Sequence, residues 1–593
     1  MSRVLVVAAL LLLVGARSAH ADATVTLCVS DTQSGAGTNL TSALAAGGRI
    51  TFNCGAAATI HVNCRHSLSA NTVIDGGGAI TLQASPASPG CGGLASAFTL
   101  FENPSPARRS LHLQRLRIVG IKPIPDGGVT TLTGGNVARG NLDVTLADVT
   151  ITASYQPILL DEGSVVVERS ELSNNDRQAI VAPEITVRDH SHLLGNGGSP
   201  LESRGGKVTI ADSDFTGNKQ VSDLTNCTSI DIRNSRFTNN VGAFQGGALR
   251  TNCSAQIWSS TFAGNQAKSG GAIHVGDLAA HTMLADVEFT GNVATGEGDG
   301  GAIAFAFEVL GPSHPPLAVE LHHVTFKSNR AGIGGALSFG RGDVTGAVLS
   351  PRILTGAAVQ FIDNQAGLFA GALFTSRAVV RLTDSLFMGN RGGNAGGAIV
   401  GLQAGDGSLE LSNSLLVKNV APVGAAFAGN GVRFVNTTFA ENDGPAVSAL
   451  ESTVLQIAKT PIGPQPVRFQ NTIVSTGGAN PCGPANPAGP YEDQGNNLQY
   501  PANSCVASIA VGAPQFGPSY IPLPSSPAAN AGNDAVCAAS PVAGRDIWGR
   551  TRPKGAHCTI GAAESDIWNI VEQALAPVTN LVSSLFRCFC GDR

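Results

Sequence analysis

The sequence predicts an all-β fold in which the chain winds into a parallel β-helix, a solenoid of stacked coils. The first observation is a repeated phrase, F-x-x-N followed by Gly-Gly-Ala and an apolar residue, which recurs at intervals of 22 to 37 residues. Clear copies begin at Phe237, Phe262, Phe289, Phe326 and Phe387, and weaker ones at Phe361 and Leu416. Repetition at such a period is typical of solenoids, because one repeat cannot bury its apolar face without a neighbour.

The second observation is an apolar residue that lies five positions before the aromatic in almost every copy, as Ile232 does before Phe237. A polar turn former such as Asn234 lies three positions before it, and apolar residues alternate after Gly-Gly-Ala, as at Ile273 and Val275. Alternation with period two predicts short strands separated by tight corners. The asparagines of successive copies are predicted to stack and hydrogen-bond along the axis. The glycines suit corners that require positive φ or close backbone approach.

The composition indicates a folded protein without a nucleic-acid partner. Charged residues make up 13% of the 593 residues and apolar residues 43%, which argues against disorder. The formal net charge is −5, and the chain has no tract rich in lysine and arginine, so binding to nucleic acid is not expected.

The first 21 residues predict export. An apolar run (4–14) follows a single arginine, and a small-x-small cleavage site lies at 19–21, so residues 1–21 are interpreted as a signal peptide. Later segments stay below the roughly 18 apolar residues of a membrane span, so no transmembrane span is predicted. We therefore expect an extracellular or cell-surface protein, and association with an outer membrane stays open.

Twelve cysteines in an exported chain favour disulfides over metal sites. Cys227 and Cys253 occupy nearly the same place in consecutive repeats, so stacking is expected to bring them within bonding distance. The pairings within the two terminal clusters stay open: Cys28, Cys54, Cys64 and Cys91 near the front, and Cys482, Cys505, Cys537 and Cys558 near the back.

Three stretches resemble known families of bacterial proteins. The paired motifs from about residue 215 to 442 resemble the polymorphic outer-membrane protein repeats of chlamydia-type bacteria. Residues 47–82 resemble the opening coils of right-handed β-helix proteins of the pectate-lyase-like superfamily, which includes polysaccharide lyases and hydrolases. Residues 545–564 are similar to the terminal motif of choice-of-anchor Q proteins, with matches at Asp546, Gly549, Arg552, Pro553, Ile560, Gly561, Ala562 and Glu564. These resemblances imply a right-handed parallel β-helix and are specific for fold rather than function.

These features divide the chain into five predicted segments. Residues 1–21 are the signal peptide, 22–110 an N-terminal cap with the first coils, and 111–480 the β-helix that carries the repeats. Residues 481–564 form a disulfide-stapled region similar to choice-of-anchor Q proteins, and 565–593 form a short amphipathic helical tail.

The outward positions of the predicted strands do not identify a catalytic residue. The column six residues before the aromatic lacks both the carboxylate pair of glycoside hydrolysis and the acidic cluster of a calcium-assisted lyase. In that column Arg381, Glu410 and Arg433 are predicted to form a solvated ladder of ion pairs between coils. Asp212 and Asp384 occupy the recurrent turn position, which favours a structural role.

Smaller signals leave the catalytic residues unknown and predict neither a cofactor nor a metal site. His322 and His323 are interpreted as surface histidines, and the GEGDGG stretch (296–301) leaves calcium as a minor alternative. The integrin-type tripeptide at 341–343 has no assigned role, and Trp258 is the one aromatic in the outward columns.

The sequence therefore favours a secreted or surface-associated, adhesin-like protein that binds a polysaccharide or another cell-surface partner. The alternative is an extracellular polysaccharide lyase or hydrolase, and a third class is a purely structural surface component. An enzyme requires a groove with clustered carboxylates, or with basic residues beside acids, contributed by adjacent coils. A binding protein requires exposed aromatics or variable loops. Whether the chain is an enzyme stays open on the sequence alone.

Overall fold

A computed structural model describes residues 22–85, 99–122, 135–276, 278–305, 316–340, 352–403, 407–449, 465–484 and 490–565. The chain divides into two compact units, Met1–Ser170 and Glu171–Arg593. The predicted signal peptide, the tripeptide at 341–343 and all but the first residue of the predicted helical tail lie outside the described residues.

The first unit combines parallel strands with the helix Leu40–Ala46, whose first turn is capped by the side chain of Asn39. The strands pair in register, so that Leu113 lies opposite both Ile74 and Leu146. The strands of this unit are Ala23–Val25, Gly48–Phe52, Ala58–Val62, His66–Ser67, Thr72–Ala84, Thr99–Asn103, Arg109–Val119, Asn136–Thr152, Ile158–Glu162 and Ser164–Glu168.

Two buried carboxylates of the first unit are held by neighbouring polar groups. Asp31 lies 3.2 Å from the imidazole of His66 and accepts hydrogen bonds from two backbone amides. Asp75 accepts hydrogen bonds from Arg115 and Arg49. Burial raises the pKa of Asp75, but the bonds from Arg115 and a backbone amide outweigh burial and lower this pKa to about 2. Both carboxylates therefore serve the internal structure of this unit.

The second unit repeats three strands in a fixed order. The leading strand carries the apolar residue predicted five positions before the aromatic, the aromatic strand carries the aromatic itself, and the trailing strand follows Gly-Gly-Ala. Equivalent strands of successive coils pair in parallel, so Ile232 lies opposite Ile257 and Phe237 opposite Phe262. The predicted parallel β-helix is confirmed.

Some coils of the second unit add a fourth element, a corner strand, between the aromatic and trailing strands. The leading strands are Glu184–Arg188, Lys207–Ala211, Ser229–Arg233, Ser254–Trp258, His281–Ala285, Leu317–His322, Arg352–Ala357, Val379–Thr383, Ser408–Ser412, Val432–Val435, Val467–Gln470 and Tyr491–Asp493. The aromatic strands are Glu171–Ser173, His192–Leu194, Asp214–Thr216, Arg236–Thr238, Thr261–Ala263, Glu288–Thr290, Thr325–Lys327, Gln360–Ile362, Leu386–Met388, Leu415–Val417, Thr438–Ala440, Ile473–Ser475 and Leu498–Tyr500. The strand Ala510–Val511 pairs with the last of them. The trailing strands are Ile180–Ala182, Leu201–Ser203, Ser222–Leu224, Leu249–Thr251, Ile273–Val275, Ile303–Phe305, Leu337–Phe339, Leu373–Ser376, Ile399–Leu402, Phe427–Gly429 and Val447–Ala449. The corner strands are Gln266–Ala267, Val293–Ala294, Arg330–Ile333, Gln365–Phe369 and Arg391–Gly392.

The turn between leading and aromatic strands uses the left-handed backbone conformation. Asp212, Asn234 and Asp384 there have φ of 49°, 47° and 50°. Asparagine and aspartate tolerate positive φ better than other residues with a side chain, which explains their recurrence at this position. The predicted turn position of Asp212 and Asp384 is confirmed.

Two ladders of identical side chains fill the interior along the aromatic strands and at the corner that follows them. The ladder asparagines are buried, and each side-chain amide donates to the amide oxygen of the next at 2.9 to 3.0 Å. They are Asn175, Asn196, Asn218, Asn240, Asn265, Asn292, Asn329, Asn364, Asn390, Asn419 and Asn442. Seven phenylalanine rings from Phe215 to Phe387 stack with centroids 4.6 to 5.1 Å apart. The predicted stacking of amides along the axis is confirmed.

The Gly-Gly pair lies where the backbones of two coils approach closely. Gly300 has a φ of +64°, and a β-carbon on Gly301 would lie 2.0 Å from the carbonyl oxygen of Gly335 in the next coil. A side chain cannot occupy that space, so the second glycine of the phrase is required by contact between coils.

The chain after Val511 folds back over the aromatic strands of the last coils. The amide of Ala562 donates to the Thr438 hydroxyl at 2.9 Å, and that of Gly561 to the Asn471 carbonyl at 2.8 Å. Outward apolar residues of the covered strands pack against this segment: Leu415, Val417 and Ala440 contact Phe516, Tyr520 and Ile547. The segment contains the short helices Pro518–Tyr520 and Asp534–Ala538.

The conspicuous residues of the terminal motif are internal contacts of this returning segment. The buried guanidinium of Arg552 lies 3.5 Å from Glu564 and donates to the carbonyl of Gly561 at 3.1 Å. Asp546 accepts a hydrogen bond from the amide of Glu564 at 3.1 Å. The motif therefore holds the segment in its own fold, whatever its further role.

Disulfides join neighbouring parts of the chain. The predicted bond between Cys227 and Cys253 is present. The pairings left open by the sequence are Cys28–Cys54, Cys482–Cys505 and Cys537–Cys558, and Cys64 is also disulfide-bonded.

Candidate functional site

The corner segment is the length of chain between a ladder asparagine and its trailing strand, and along the second unit it passes from short to long and back to short. Corner segments 197–200 and 219–221 have four and three residues, whereas those from 241–248 to 420–426 have seven to ten. Corner segment 443–446 again has four. A long segment beside a short one has no neighbour to cover its outer part. The solenoid therefore has two ledges, a first ledge at 241–248 and a last ledge at 420–426.

The first ledge exposes apolar side chains. Phe244 is 67% exposed and Val241 44% exposed, whereas the phenylalanines of the aromatic strands from Phe215 to Phe387 are buried. The ammonium group of Lys268 lies 4.8 Å from the centroid of the Phe244 ring, which is a cation–π contact on one side of the ring. The exposed part of the ring offers an apolar face of the kind that sugar rings stack against.

A column of polar side chains lies on the trailing strands near this ledge. Glu202, Asp223, Arg250 and His274 occupy the outward positions of four successive strands and lie opposite one another in register. We call these four residues the polar strip. Farther along, the column becomes apolar and is buried under corner segments, where Phe374, Val400 and Ala428 pack with Ile333, Phe369 and Val423. Glu202, Asp223 and Arg250 of the polar strip are thus the part-exposed residues of this face, and His274 is buried.

His274 forms the buried end of the polar strip. Its Nδ1 lies 3.3 Å from the hydroxyl of Ser269, and that hydroxyl donates to Asp299 at 2.7 Å. Burial lowers the pKa of His274 to about 4, against the opposing effect of Asp299, so the imidazole is neutral at pH 7. Because the serine hydroxyl donates to the aspartate rather than to the histidine, this group does not have the arrangement of an activated serine nucleophile.

The other end of the polar strip holds two carboxylates. Glu202 lies directly opposite Asp223 on adjacent coils, which are about 4.8 Å apart in a parallel sheet. Glu202 accepts a hydrogen bond from Gln178 at 3.1 Å, and Asp223 accepts one from the Thr225 hydroxyl at 2.8 Å. Asp223 also lies 3.9 Å from Arg250. These carboxylates are part-exposed and are compatible with either sugar binding or two-carboxylate chemistry.

The predicted outward column of the leading strands is largely paired. Arg433 lies 3.7 Å from Glu410, as predicted, but within the described residues no ion pair joins Arg381 to Glu410, so the predicted ladder is incomplete. The guanidinium of Arg233 lies 5.8 Å from the centroid of Trp258, so the one aromatic of these columns already has a cationic partner.

The histidines singled out by the sequence face carboxylates at the surface. His322 lies 3.6 Å from Glu320, and His323 lies 3.7 Å from Asp286. His323 also occupies the left-handed turn position, with a φ of 52°. Within the part of the chain that the structure describes, no group of three or more His, Cys, Asp or Glu side chains is arranged to hold a metal ion.

The first ledge and the polar strip were missed by reasoning from the sequence, because the outward columns were read only from the leading strands. Two features of the sequence could have identified them. The first is the residue type two positions after the alanine of Gly-Gly-Ala, and the second is the increase in corner-segment length from the copy at Asn218 to the copy at Asn240. Among the described residues, no helix has the length and apolar character needed to cross a membrane.

Comparison with known proteins gives two similarities. A family model described as the Chlamydia polymorphic membrane protein repeat matches residues 259–276. Among solved structures, tailspike protein 3 of bacteriophage CBA120 is similar over 79% of this chain, at 11% sequence identity and a TM-score of 0.22. The match covers 62% of the tailspike chain, so this chain spans less than two thirds of that protein's length. No curated protein matches the chain. The predicted resemblance to the repeat is confirmed for residues 259–276, and the other two resemblances stay predictions.

Proposed function

We propose that the protein is an extracellular or surface-associated binding protein that recognises a glycan at the first ledge. The observation that carries this proposal is the exposed ring of Phe244 at the corner whose coils carry the polar strip. An aromatic face contacts the apolar side of a sugar, while carboxylates and a guanidinium form hydrogen bonds with its hydroxyl groups. Glu202, Asp223 and Arg250 supply those groups.

The match to a membrane protein repeat supports the surface location, and the disulfides support an oxidising compartment. In this proposal the signal peptide (1–21) directs export, and the disulfide-stapled region 481–564 is part of the exported chain. Mass spectrometry of the exported chain tests the first point, since a mature protein that begins at Asp22 is expected.

A glycan array probed with the exported, disulfide-intact protein tests the binding proposal. Phe244→Ala should weaken binding to the selected glycan by roughly tenfold, because a stacked ring contributes about 1 kcal/mol or slightly more. Trp548→Ala is the matched control, since Trp548 is also exposed (43%) but lies in the returning segment. The proposal is refuted if the protein binds no glycan on the array. It is also refuted if Phe244→Ala, Trp548→Ala and the unaltered protein bind the selected glycan equally well.

A second candidate function is cleavage of a polysaccharide, and the opposed carboxylates of Glu202 and Asp223 favour it. Release of new reducing ends from a polysaccharide panel detects lyases and hydrolases alike. In that case Glu202→Gln should abolish the release while leaving glycan binding within a few-fold of the unaltered protein. If the protein binds its glycan but releases no reducing ends from any polysaccharide of the panel, binding is the function that remains.

A further inference from the structure

The last ledge contains a surface cavity of about 330 Å³. It lies between corner segments 391–398, 420–426 and 443–446, and its walls include Arg391, Gly392, Val420, Pro422, Asp443 and Gly444. This volume lies within the range of small-molecule sites in proteins. The cavity is separate from the first ledge and from the polar strip, and its role does not depend on glycan binding.

The cavity exists because the corner segment shortens from seven residues (420–426) to four (443–446). Single β-bridges join Arg391 to Val420 and Val420 to Asp443, so the three residues form one column across three coils. Arg391 and Asp443 are therefore two coil spacings apart, about 9.6 Å between their α-carbons. Close approach is maintained by Gly444, where a β-carbon would lie 2.6 Å from the carbonyl oxygen of Ala421.

The two charged residues of the cavity have no partner among the described residues. Neither the guanidinium of Arg391 nor the carboxylate of Asp443 forms an ion pair or a side-chain hydrogen bond there. Several exposed charges elsewhere on this unit pair between coils: Arg236 with Asp214 at 2.8 Å, Arg433 with Glu410 at 3.7 Å and Arg468 with Glu492 at 2.8 Å. Within the described part of the chain, the cavity thus presents the Arg391 guanidinium and the Asp443 carboxylate without charged partners at its two ends.

We propose that this cavity binds a zwitterionic small molecule that carries a carboxylate and an ammonium group, as an amino acid or short peptide does. Arg391 receives the carboxylate, for which the planar guanidinium provides two parallel donors. Asp443 receives the ammonium group. A simple anion would meet repulsion from Asp443 and a simple cation repulsion from Arg391, so only a ligand with both charges satisfies both ends. Val420 and Pro422 contact the apolar part between them.

The test uses the full exported chain and a series of probes with increasing charge separation: glycine, glycylglycine and triglycine. Saturation-transfer NMR detects weak binding to a protein of this size. One member of the series should bind best, and blocking either its amine by acetylation or its carboxylate by amidation should weaken it about fivefold. That factor corresponds to the roughly 1 kcal/mol of a part-exposed ion pair.

Variants assign the charges to the two residues. Arg391→Gln should weaken binding of the peptide with a free carboxylate about fivefold but leave binding of the amidated peptide unchanged. Asp443→Asn should weaken binding of the peptide with a free amine about fivefold but leave binding of the acetylated peptide unchanged. Arg330→Gln is the matched control, because Arg330 is an exposed arginine of the same corner column two coils away and outside the cavity. Absence of binding by every probe, or equal binding by the Arg391 and Arg330 variants, would overturn the proposal, even where glycan binding at the first ledge persists.

Discussion

Replacing Asn292 with alanine removes an amide from the middle of the asparagine ladder. Its oxygen accepts from the backbone and side-chain amides of Asn265, both at 3.0 Å. Its side-chain nitrogen donates to the carbonyl of Phe262 at 2.9 Å and to the side-chain oxygen of Asn329 at 3.0 Å. The substitution therefore breaks four hydrogen bonds between groups that are buried from water.

The expected loss of stability follows from those four bonds. A buried hydrogen bond contributes about 1 kcal/mol net, and a group left without a partner costs about 1 to 3 kcal/mol. Asn292→Ala should therefore destabilise its region by at least ~4 kcal/mol. Asn442 ends the ladder and forms three such bonds, to the backbone and side chain of Asn419 and to the carbonyl of Leu416. Asn442→Ala should cost about 3 kcal/mol by the same reasoning.

Hydrogen exchange measured by mass spectrometry is the suitable assay, because a solenoid opens locally and peptides report the free energy of each opening. Asn394→Ala is the control: Asn394 is exposed, and its change should stay within about 0.5 kcal/mol. The reasoning is wrong if peptides around Asn292 in the Asn292→Ala protein exchange no faster than the same peptides in the control. It is also wrong if the loss at Asn442 exceeds that at Asn292.

Two further changes test the surroundings of the polar strip. The folded-state pKa of His274, about 4, lies below its usual value of 6.5. The contribution of its neutral form to stability is therefore complete above pH 6.5 and is lost as the pH falls from 6.5 through 4. The loss of stability is about 3 kcal/mol. The free energies of opening of its coil, obtained from hydrogen exchange at pH 7 and pH 4, should show that loss, and His274→Asn should reduce the difference between them by about 3 kcal/mol. The double substitution of Cys227 and Cys253 by serine opens a loop with a sequence separation of 26 and should destabilise the unit by about 3 kcal/mol. A melting temperature equal to that of the unaltered protein would contradict the second expectation.

The coil geometry could be predicted because each repeat carries its own register. Aligning the copies on the aromatic places Ile232 opposite Ile257, and the structure has the same pair. The repeat at Phe361 breaks the apolar rule with Gly356, yet Gly356 still pairs with Leu321 and Leu382. One small residue is tolerated because neighbouring coils on both sides keep the register.

The ends and the sites could not be predicted in the same way. Disulfide pairing near the termini depends on how irregular segments fold, and the sequence contains no repeat there to align. Phe244 belongs to a residue type that the repeat assigns to the core, so its exposure could not be inferred from its identity. Its environment is set by the three-residue corner segment 219–221 of the preceding coil, which leaves its outer side uncovered.

The distribution of constraints within a coil explains where binding sites arise on this solenoid. Aromatic, asparagine and glycine positions contact the equivalent positions of neighbouring coils, so a change there disturbs at least two contacts at once. The corner segment is different, since its length varies from three to ten residues while the ladder on one side and the trailing strand on the other stay in register. A coil can therefore gain or lose corner residues without disturbing the core. Each such change uncovers side chains or opens a cavity, as at Phe244 and between Arg391 and Asp443. New binding surfaces are thus expected at steps in corner length, and uniform stretches of the stack are expected to be inert.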